Sequence, residues 1–187
     1  MTSLGFDMST TSSGISVFND DKLENYHCIK VDSKSYPNWR DRIKIMGSET
    51  NKIITSLKEK ADIIYMEDVP IIRSKGLETL VILGAVQGLI IGVASSNNID
   101  IQFIYPSAWR SILGLFDGTQ EGTARDEMKR KSIEYCNLTF GLELVYKSKS
   151  SKFNQDDEAD SINIAYSQII KSKQTIKSKP NGFGTRR

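Results

Sequence analysis

The sequence predicts an α/β domain built on a mixed five-stranded sheet with helices on both faces. Three observations carry that expectation. Five short runs are rich in β-branched and aromatic residues and are bounded by turn-forming clusters. Longer stretches with apolar residues at helical spacing alternate with the later runs. At 187 residues the chain holds one domain with a substantial core, and is too short for two catalytic domains closing over a cleft.

Residues 4–7, 14–19 and 25–31 read as the first three strands, separated by Thr10-Thr11-Ser12-Ser13-Gly14 and Asn19-Asp20-Asp21-Lys22. Both separators have turn chemistry, so the three strands form an antiparallel meander. After Pro37, Trp39, Ile43, Met46, Ile53 and Leu57 recur with helical period, which predicts an amphipathic helix over residues 38–60 with its stripe on the sheet. Residues 63–67 return as a strand whose nearly continuous apolar character places it centrally, covered on both faces. Residues 76–97 are apolar almost all round, so this helix is expected to be buried on most sides. Gly84, Gly88 and Gly92 form one bare stripe on it, where a backbone from within the chain or from a second subunit can approach. The uncharged run 79–95 contains Gln87 and is shorter than the roughly 20 residues a bilayer needs, so a core helix and no membrane contact are expected. Residues 101–105 make a fifth strand. Pro106-Ser107-Ala108-Trp109 opens a short helix, with proline where its missing N–H does no harm. Residues 121–137 form a helix carrying Arg125, Lys129, Arg130 and Lys131, and a last helix starts near Asp157 with Ala159, Ile162, Tyr166 and Ile169 as its buried stripe.

Four carboxylates fall where they can form one metal site. Asp7 and Glu67 close the first and fourth strands, and Asp157 and Asp160, three residues apart, share a face of the last helix. Asp156 shares a face with Asp160 as well and is the alternative to Asp157. An ionised carboxylate at the end of a core strand loses solvation that only a cation or strong donors replace, so the cluster points to a divalent cation. Asp7 has a competing role as the cap of the turn through Ser9-Thr10-Thr11, and Asp157 as a first-turn acid favoured by the helix dipole.

The remaining chemistry narrows quickly. His27 is the only histidine and reads as structural, and Cys28 and Cys136 lack metal-ligand spacing, so zinc chemistry is not expected. Ser12 and Ser13 have no basic partner nearby in sequence, which leaves a serine nucleophile unsupported. Two cysteines and an opening Met1-Thr2-Ser3-Leu4 without secretory features predict a reducing, cytoplasmic setting. The net charge of +2 says little, but Lys147, Lys149 and Lys152 precede the acidic pair, and Lys171, Lys173, Lys177, Lys179, Arg186 and Arg187 follow it with no acid among them. Basic segments bracketing an acidic site suit a polyanion held against a metal.

The order β-β-β-α-β-α-β-α followed by a C-terminal helix, with acids on the first strand, the fourth strand and the final helix, resembles the ribonuclease H-like layout. Within it the chain resembles RuvC-type Holliday junction resolvases, most closely the divergent versions carried by bacteriophages. The marks are Leu4-Gly5-Phe6-Asp7 with Ser9 and Gly14-Ile15-Ser16-Val17 following, Met66-Glu67-Asp68-Val69, Tyr105-Pro106-Ser107, and Asp157-Glu158-Ala159-Asp160-Ser161-Ile162-Asn163-Ile164-Ala165, spanning Leu4 to about Lys171. Asp7-Met8-Ser9-Thr10-Thr11-Ser12 also resembles the first phosphate loop of actin-like sugar kinases, but those enzymes need well over twice this chain.

The resemblance implies a nuclease domain over residues 1–175 and a basic tail over 176–187, in the host cytoplasm if phage-encoded. It implies a crossover junction endodeoxyribonuclease that hydrolyses paired phosphodiesters in Holliday junctions and other branched DNA. Two Mg2+ ions about 4 Å apart, with Mn2+ as substitute, would activate the attacking water and stabilise the leaving oxygen. Asp7 is expected to bridge them, Glu67 to bind one, and Asp157 with Asp160 to complete the site; the family pattern favours Asp157 over Asp156. A homodimer through the 76–97 helix would supply two sites to one junction. Where better-known relatives carry an aromatic residue after the strand acid, this chain has Val69-Pro70-Ile71-Ile72, which implies relaxed sequence specificity. Ile71 or Ile72 is then expected to act as an apolar wedge, and Arg73, Lys75, Arg125, Lys129, Lys147, Lys149 and Lys152 to meet DNA phosphates. The alternatives are a nuclease of the same fold acting on RNA:DNA hybrid or structured RNA, and a non-catalytic junction-binding protein.

Overall fold

A computed structural model describes residues 1–68, 76–116, 124–149 and 151–177. The elements follow the predicted order: β1 (Thr2–Asp7), β2 (Ser12–Asn19), β3 (Lys22–Lys30), α1 (Trp39–Thr55), β4 (Ile63–Glu67), α2 (Leu77–Ser96), β5 (Asp100–Ile104), α3 (Pro106–Ile112), α4 (Arg125–Phe140) and α5 (Asp156–Lys177). The five strands make one sheet in the order β3-β2-β1-β4-β5. β1, β2 and β3 form the antiparallel meander, while β4 runs parallel to β1 and β5 parallel to β4, so the sheet is mixed.

Side-chain alternation along the strands divides the core in two. Leu4 and Phe6 of β1, Ile15 and Val17 of β2, and Ile64 and Met66 of β4 point to one face, where Met46 and Ile54 of α1 and Val86 and Ile90 of α2 cover them. Phe18, Tyr65 and Ile104 point to the other face, against Trp109 of α3, Ile133 and Cys136 of α4, and Ala159, Ile162 and Ala165 of α5. On this second face β1 and β2 have a track of small residues, Ser3, Gly5, Gly14 and Ser16, and α5 lies directly on it. A Cβ at Gly5 would stand 2.0 Å from the Ser161 carbonyl oxygen, and one at Gly14 would stand 1.8 Å from that of Asp157. Ser16 Oγ adds a 2.9 Å hydrogen bond to the Ser161 carbonyl.

Several boundaries differ from the sequence expectation, each for a local reason. α1 begins as predicted, with Asn38 Oδ1 accepting from Arg40 N at 3.0 Å, but ends at Thr55 rather than near Lys60. There the Thr55 and Ser56 hydroxyls donate to the carbonyls of Asn51 and Ile53, satisfying groups that a further turn would have used. α4 continues past Asn137 to Phe140 and stops where Gly141 takes the left-handed conformation, φ 66°. Residues 117–123 lie outside the described region, so the expected start of that helix at Glu121 does too.

The expectation for the apolar helix is corrected. Only Val86, Ile90, Val93 and Ala94 of α2 are buried, whereas Leu77, Val81 and Ile91 are 83, 59 and 45% exposed. Composition made the helix look enclosed because it cannot tell a face covered by the chain from one left open. Gly84, Gly88 and Gly92 have nothing within 4 Å of where a Cβ would be, so no neighbour within the described chain fills the stripe. By length and composition α2 is also long and apolar enough to cross a membrane, at 20 residues, longer than the uncharged run suggested.

Candidate active site

Strand register and pleat alone bring the first two acids together. Phe6 pairs with Met66 across the parallel β1–β4 ladder, so Asp7 and Glu67 follow side by side at the strand ends, on chains about 4.8 Å apart. Alternation turns both toward α5 rather than toward α1 and α2. The small-residue track beneath α5 then admits the first turns of that helix, carrying Asp156, Asp157 and Asp160.

The electrostatics of this cluster are those of acids short of positive charge. Burial, then the neighbouring charges of Asp160, Glu67, Asp157 and Asp156, holds the Asp7 carboxyl well above the usual carboxylate range. Asp160 is pushed up to about 7 by burial, against the opposing pull of Arg110 and of a hydrogen bond from Ser132 Oγ. Asp157 is raised by burial and partly relieved by the Ser12 hydroxyl, which donates to it. The turn after β1 does not use Asp7 as its cap: Ser9 Oγ accepts from Ser12 N at 3.0 Å and Ser13 Oγ donates to the Ser9 carbonyl at 3.0 Å.

α3 supplies a counter-charge that sequence reasoning missed. Trp109 is fully buried and its Nε1–H donates to Glu67 Oε2 at 2.9 Å. The next residue, Arg110, stacks its guanidinium 4.4 Å from the Trp109 ring centroid and reaches between two acids, 3.9 Å from Glu67 Oε2 and 3.7 Å from Asp160 Oδ2. The available signal was Trp109-Arg110 one helical turn after the strand that borders β4, within the Pro106 helix. Ser12 and Ser132 were missed for another reason, since hydroxyls that orient carboxylates have no spacing signature. Ser132 is itself held by Asn163, whose Nδ2 donates to Ser132 Oγ at 2.8 Å, and all of Ser132, Asn163 and Cys136 are buried.

The acids do not all face one point. Asp7, Glu67 and Asp160 surround Arg110's end of the site, Asp157 turns to Ser12, and Asp156 pairs with Lys129. Among the described residues no three such donors form a ready-made metal shell. The donor set still fits a hard divalent ion in kind, being all carboxylate oxygen, and it fits in charge, because Asp7 and Asp160 are both raised in a place where a cation would lower them. Of the basic residues expected at DNA, Lys129 is taken by Asp156 and Lys149 lies 3.2 Å from Asp126, while Arg125, Lys147 and Lys152 are exposed. Ile71, Ile72, Arg73 and Lys75 lie outside the described residues.

A pH dependence follows from Asp160 and Asp7. A carboxyl whose native value lies above its unfolded one keeps its proton in the folded state after the unfolded chain has released it, so stability falls as pH rises between the two. For Asp160 that window runs from about 4 to about 7. In chelator the melting temperature should therefore fall from pH 5 to pH 7, and Asp7→Asn and Asp160→Asn should each flatten the slope. A melting temperature that rises over the same interval would contradict this electrostatic picture.

No family model and no curated protein sequence matches this chain. Solved structures do match. RuvC from Thermus thermophilus in complex with a Holliday junction substrate superposes with a TM-score of 0.66 at 14% identity, covering 93% of this chain and 96% of that one. RuvC of T. thermophilus in a second structure gives 0.65 at 15% identity, covering 94% and 97%. The Fowlpox virus resolvase, in complex with its Holliday junction DNA, gives 0.55 at 17% identity, covering 92% and 99%. Matches this complete over both partners, for a chain with a five-stranded mixed sheet, show that it has the ribonuclease H-like fold of the RuvC resolvases.

Proposed function

We propose that this protein is a divalent-metal-dependent, structure-selective endodeoxyribonuclease that resolves Holliday junctions and other branched DNA by paired phosphodiester hydrolysis, with relaxed sequence specificity. The observation that carries the reading is the convergence of Asp7, Glu67 and Asp160 from two adjacent strand ends and α5, on the face where Arg110 supplies the counter-charge. Two neighbours of the same fold were solved with Holliday junction DNA, which supports DNA of that shape as the substrate. Residues 1–175 are proposed as the nuclease domain and 176–187 as a basic tail, acting in the cytoplasm.

Asp7, Glu67 and Asp160, joined by Asp157 on leaving Ser12, would hold two Mg2+ ions or their Mn2+ substitutes, which when bound supply an activated water and neutralise charge on the phosphate. The chain's own groups do the rest. Trp109 Nε1–H fixes one Glu67 oxygen, and the Arg110 guanidinium, kept in place by its stack on Trp109, offers donors to a phosphate oxygen beside the acids. Ser132 sets the rotamer of Asp160 from below. Ser132→Ala should lower the cleavage rate or metal affinity about 10–100-fold, as loss of an outer partner of a ligand does, and Ser132→Thr should restore most of it. Cleavage rates and Mn2+ titrations of the two variants check this; equal behaviour of Ser132→Ala and the parent would remove Ser132 from the site.

Cutting two strands of one junction needs two sites, and a two-fold dimer supplies them from one chain. The exposed apolar face of α2, with Val81 and Ile91 outward beside the open glycines, is the proposed interface. Sedimentation at micromolar concentration should give a dimer, and Ile91→Glu, which touches an exposed position, should give a folded monomer. A monomer for the parent protein would count against the paired-cut reading.

The deciding experiment offers labelled four-way junction, Y-shaped DNA, plain duplex and RNA:DNA hybrid with Mg2+ or chelator. Metal-dependent paired nicks in the junction support the proposal. Cutting only the hybrid would move the substrate to RNA, and junction binding without any cutting would leave a binding protein.

A further inference from the structure

We infer that Phe153 is a stacking platform for an unpaired nucleobase of the branched substrate, set beside the scissile site by the loop that leads into α5. The inference rests on the branched-DNA reading above and names a contact that reading does not require.

The loop is braced to hold one side chain out. Asn154 is buried, accepts from Lys147 N at 2.9 Å and donates to the Ser148 carbonyl at 2.9 Å. Gln155 is tied twice to Val145, through its backbone N–H to the carbonyl at 3.0 Å and through Oε1 accepting from Val145 N at 3.0 Å. Phe153 precedes this clamp, its own N–H donating to Ser151 Oγ at 3.3 Å, and the residue is 57% exposed. A single exposed apolar side chain is ordinary, but this one carries two ammonium groups, Lys147 Nζ 4.5 Å and Lys152 Nζ 5.3 Å from the ring centroid. Both ammoniums lie over the ring, and an aromatic face with exchangeable cations on it is the pairing that binds single-stranded nucleic acid, the base displacing an ammonium from the ring and the ammoniums moving to the flanking phosphates.

Position supplies the rest of the argument. Phe153 is three residues before Asp156, the start of α5, so its Cα lies within about 11 Å of that of Asp156. Lys149 to Asp126 and Lys129 to Asp156 pin the loop and the first turn of α4 to the same edge of the site. That distance is about three base steps along a strand. A base lost from the stack at the branch, close to the phosphate being cut, falls within reach of the ring, whereas a plain duplex offers none.

The test uses the full chain carrying Glu67→Gln, in chelator, so that DNA stays intact, with 2-aminopurine placed at nucleotides flanking the branch. Phe153→Ala should weaken junction binding about 5–100-fold, leave duplex binding unchanged, and abolish the fluorescence change seen on binding. Phe153→Trp should retain both, and Phe153→Leu, which keeps apolar bulk without a π face, should behave like alanine. Junction affinity unchanged in Phe153→Ala, or a fluorescence change that survives it, would overturn the platform while the junction preference of the parent left the functional reading standing. A parent that does not prefer junction to duplex would overturn that reading and the platform with it.

Discussion

Asp7→Asn is expected to lower junction cleavage by about 10³-fold or more while junction binding stays equal or tightens and the metal-free protein melts higher. The three parts have one cause. Asp7 stands at the end of the central strand β1, where burial and the charges of Asp160, Glu67, Asp157 and Asp156 all oppose its ionisation. An amide keeps the shape and removes the charge, so the repulsion that destabilises the chelated fold is relieved, and a phosphate approaches more easily. The same change removes a charged carboxylate that would help to hold the metal, and losing one anchor of a metal-assisted displacement costs several kcal/mol of transition-state stabilisation, each 1.36 kcal/mol being tenfold in rate. Cleavage assays, junction titrations and thermal melts on one preparation separate the outcomes. Loss of binding together with activity and a lower melting temperature would mean that Asp7 holds the fold. Retained cleavage would remove it from the chemistry.

The fold was legible because it is written in period. β-branched and aromatic runs between turns marked the strands at 4–7 and 14–19, a nearly continuous apolar run marked 63–67, and side-chain alternation carried through the register Phe6 to Met66 decides that Asp7 and Glu67 face α5. That Asp7 and Glu67 stand side by side was therefore legible in the sequence. What surrounds them was not. Arg110 reaches Glu67 and Asp160 across three elements, and Ser132 reaches Asp160 from another helix, contacts with no sequence interval to betray them. Lys129 was read as a phosphate contact from its charge, but a charge on a helix does not reveal a partner 27 residues away, and it pairs with Asp156. The apolar helix was misjudged on the same ground in reverse, because a sequence records that Val81 and Ile91 are apolar and not whether anything covers them.

Gly14→Ala should disable the site through the backbone, without touching an acid. Gly14 is the register partner of Asp7 on β2, and α5 rests on it so closely that an added Cβ would lie 1.8 Å from the Asp157 carbonyl oxygen and 2.4 Å from its carbonyl carbon. Those atoms are helix backbone and cannot swing aside like a side chain. Contact distance is restored only if the start of α5 lifts from the sheet by more than about 1 Å, and its first turn carries Asp156 and Asp157, with Asp160 following directly. Overpacking of this kind costs about 1–3 kcal/mol, a drop of roughly 3–10 °C in melting temperature for a domain of this size. A misplacement of about 1 Å at a reacting centre costs about 10²-fold in rate, so cleavage should fall by that order in protein that is still folded at assay temperature. Gly5→Ala is the matched comparison, since its Cβ would meet the Ser161 carbonyl at 2.0 Å, beyond the last of the three acids. Both variants should lose stability, and Gly14→Ala should lose more activity for each degree lost. Equal losses of activity per degree would show that α5 shifts as a rigid whole, and full activity in Gly14→Ala would show that the spacing of α5 from β1 does not set the chemistry.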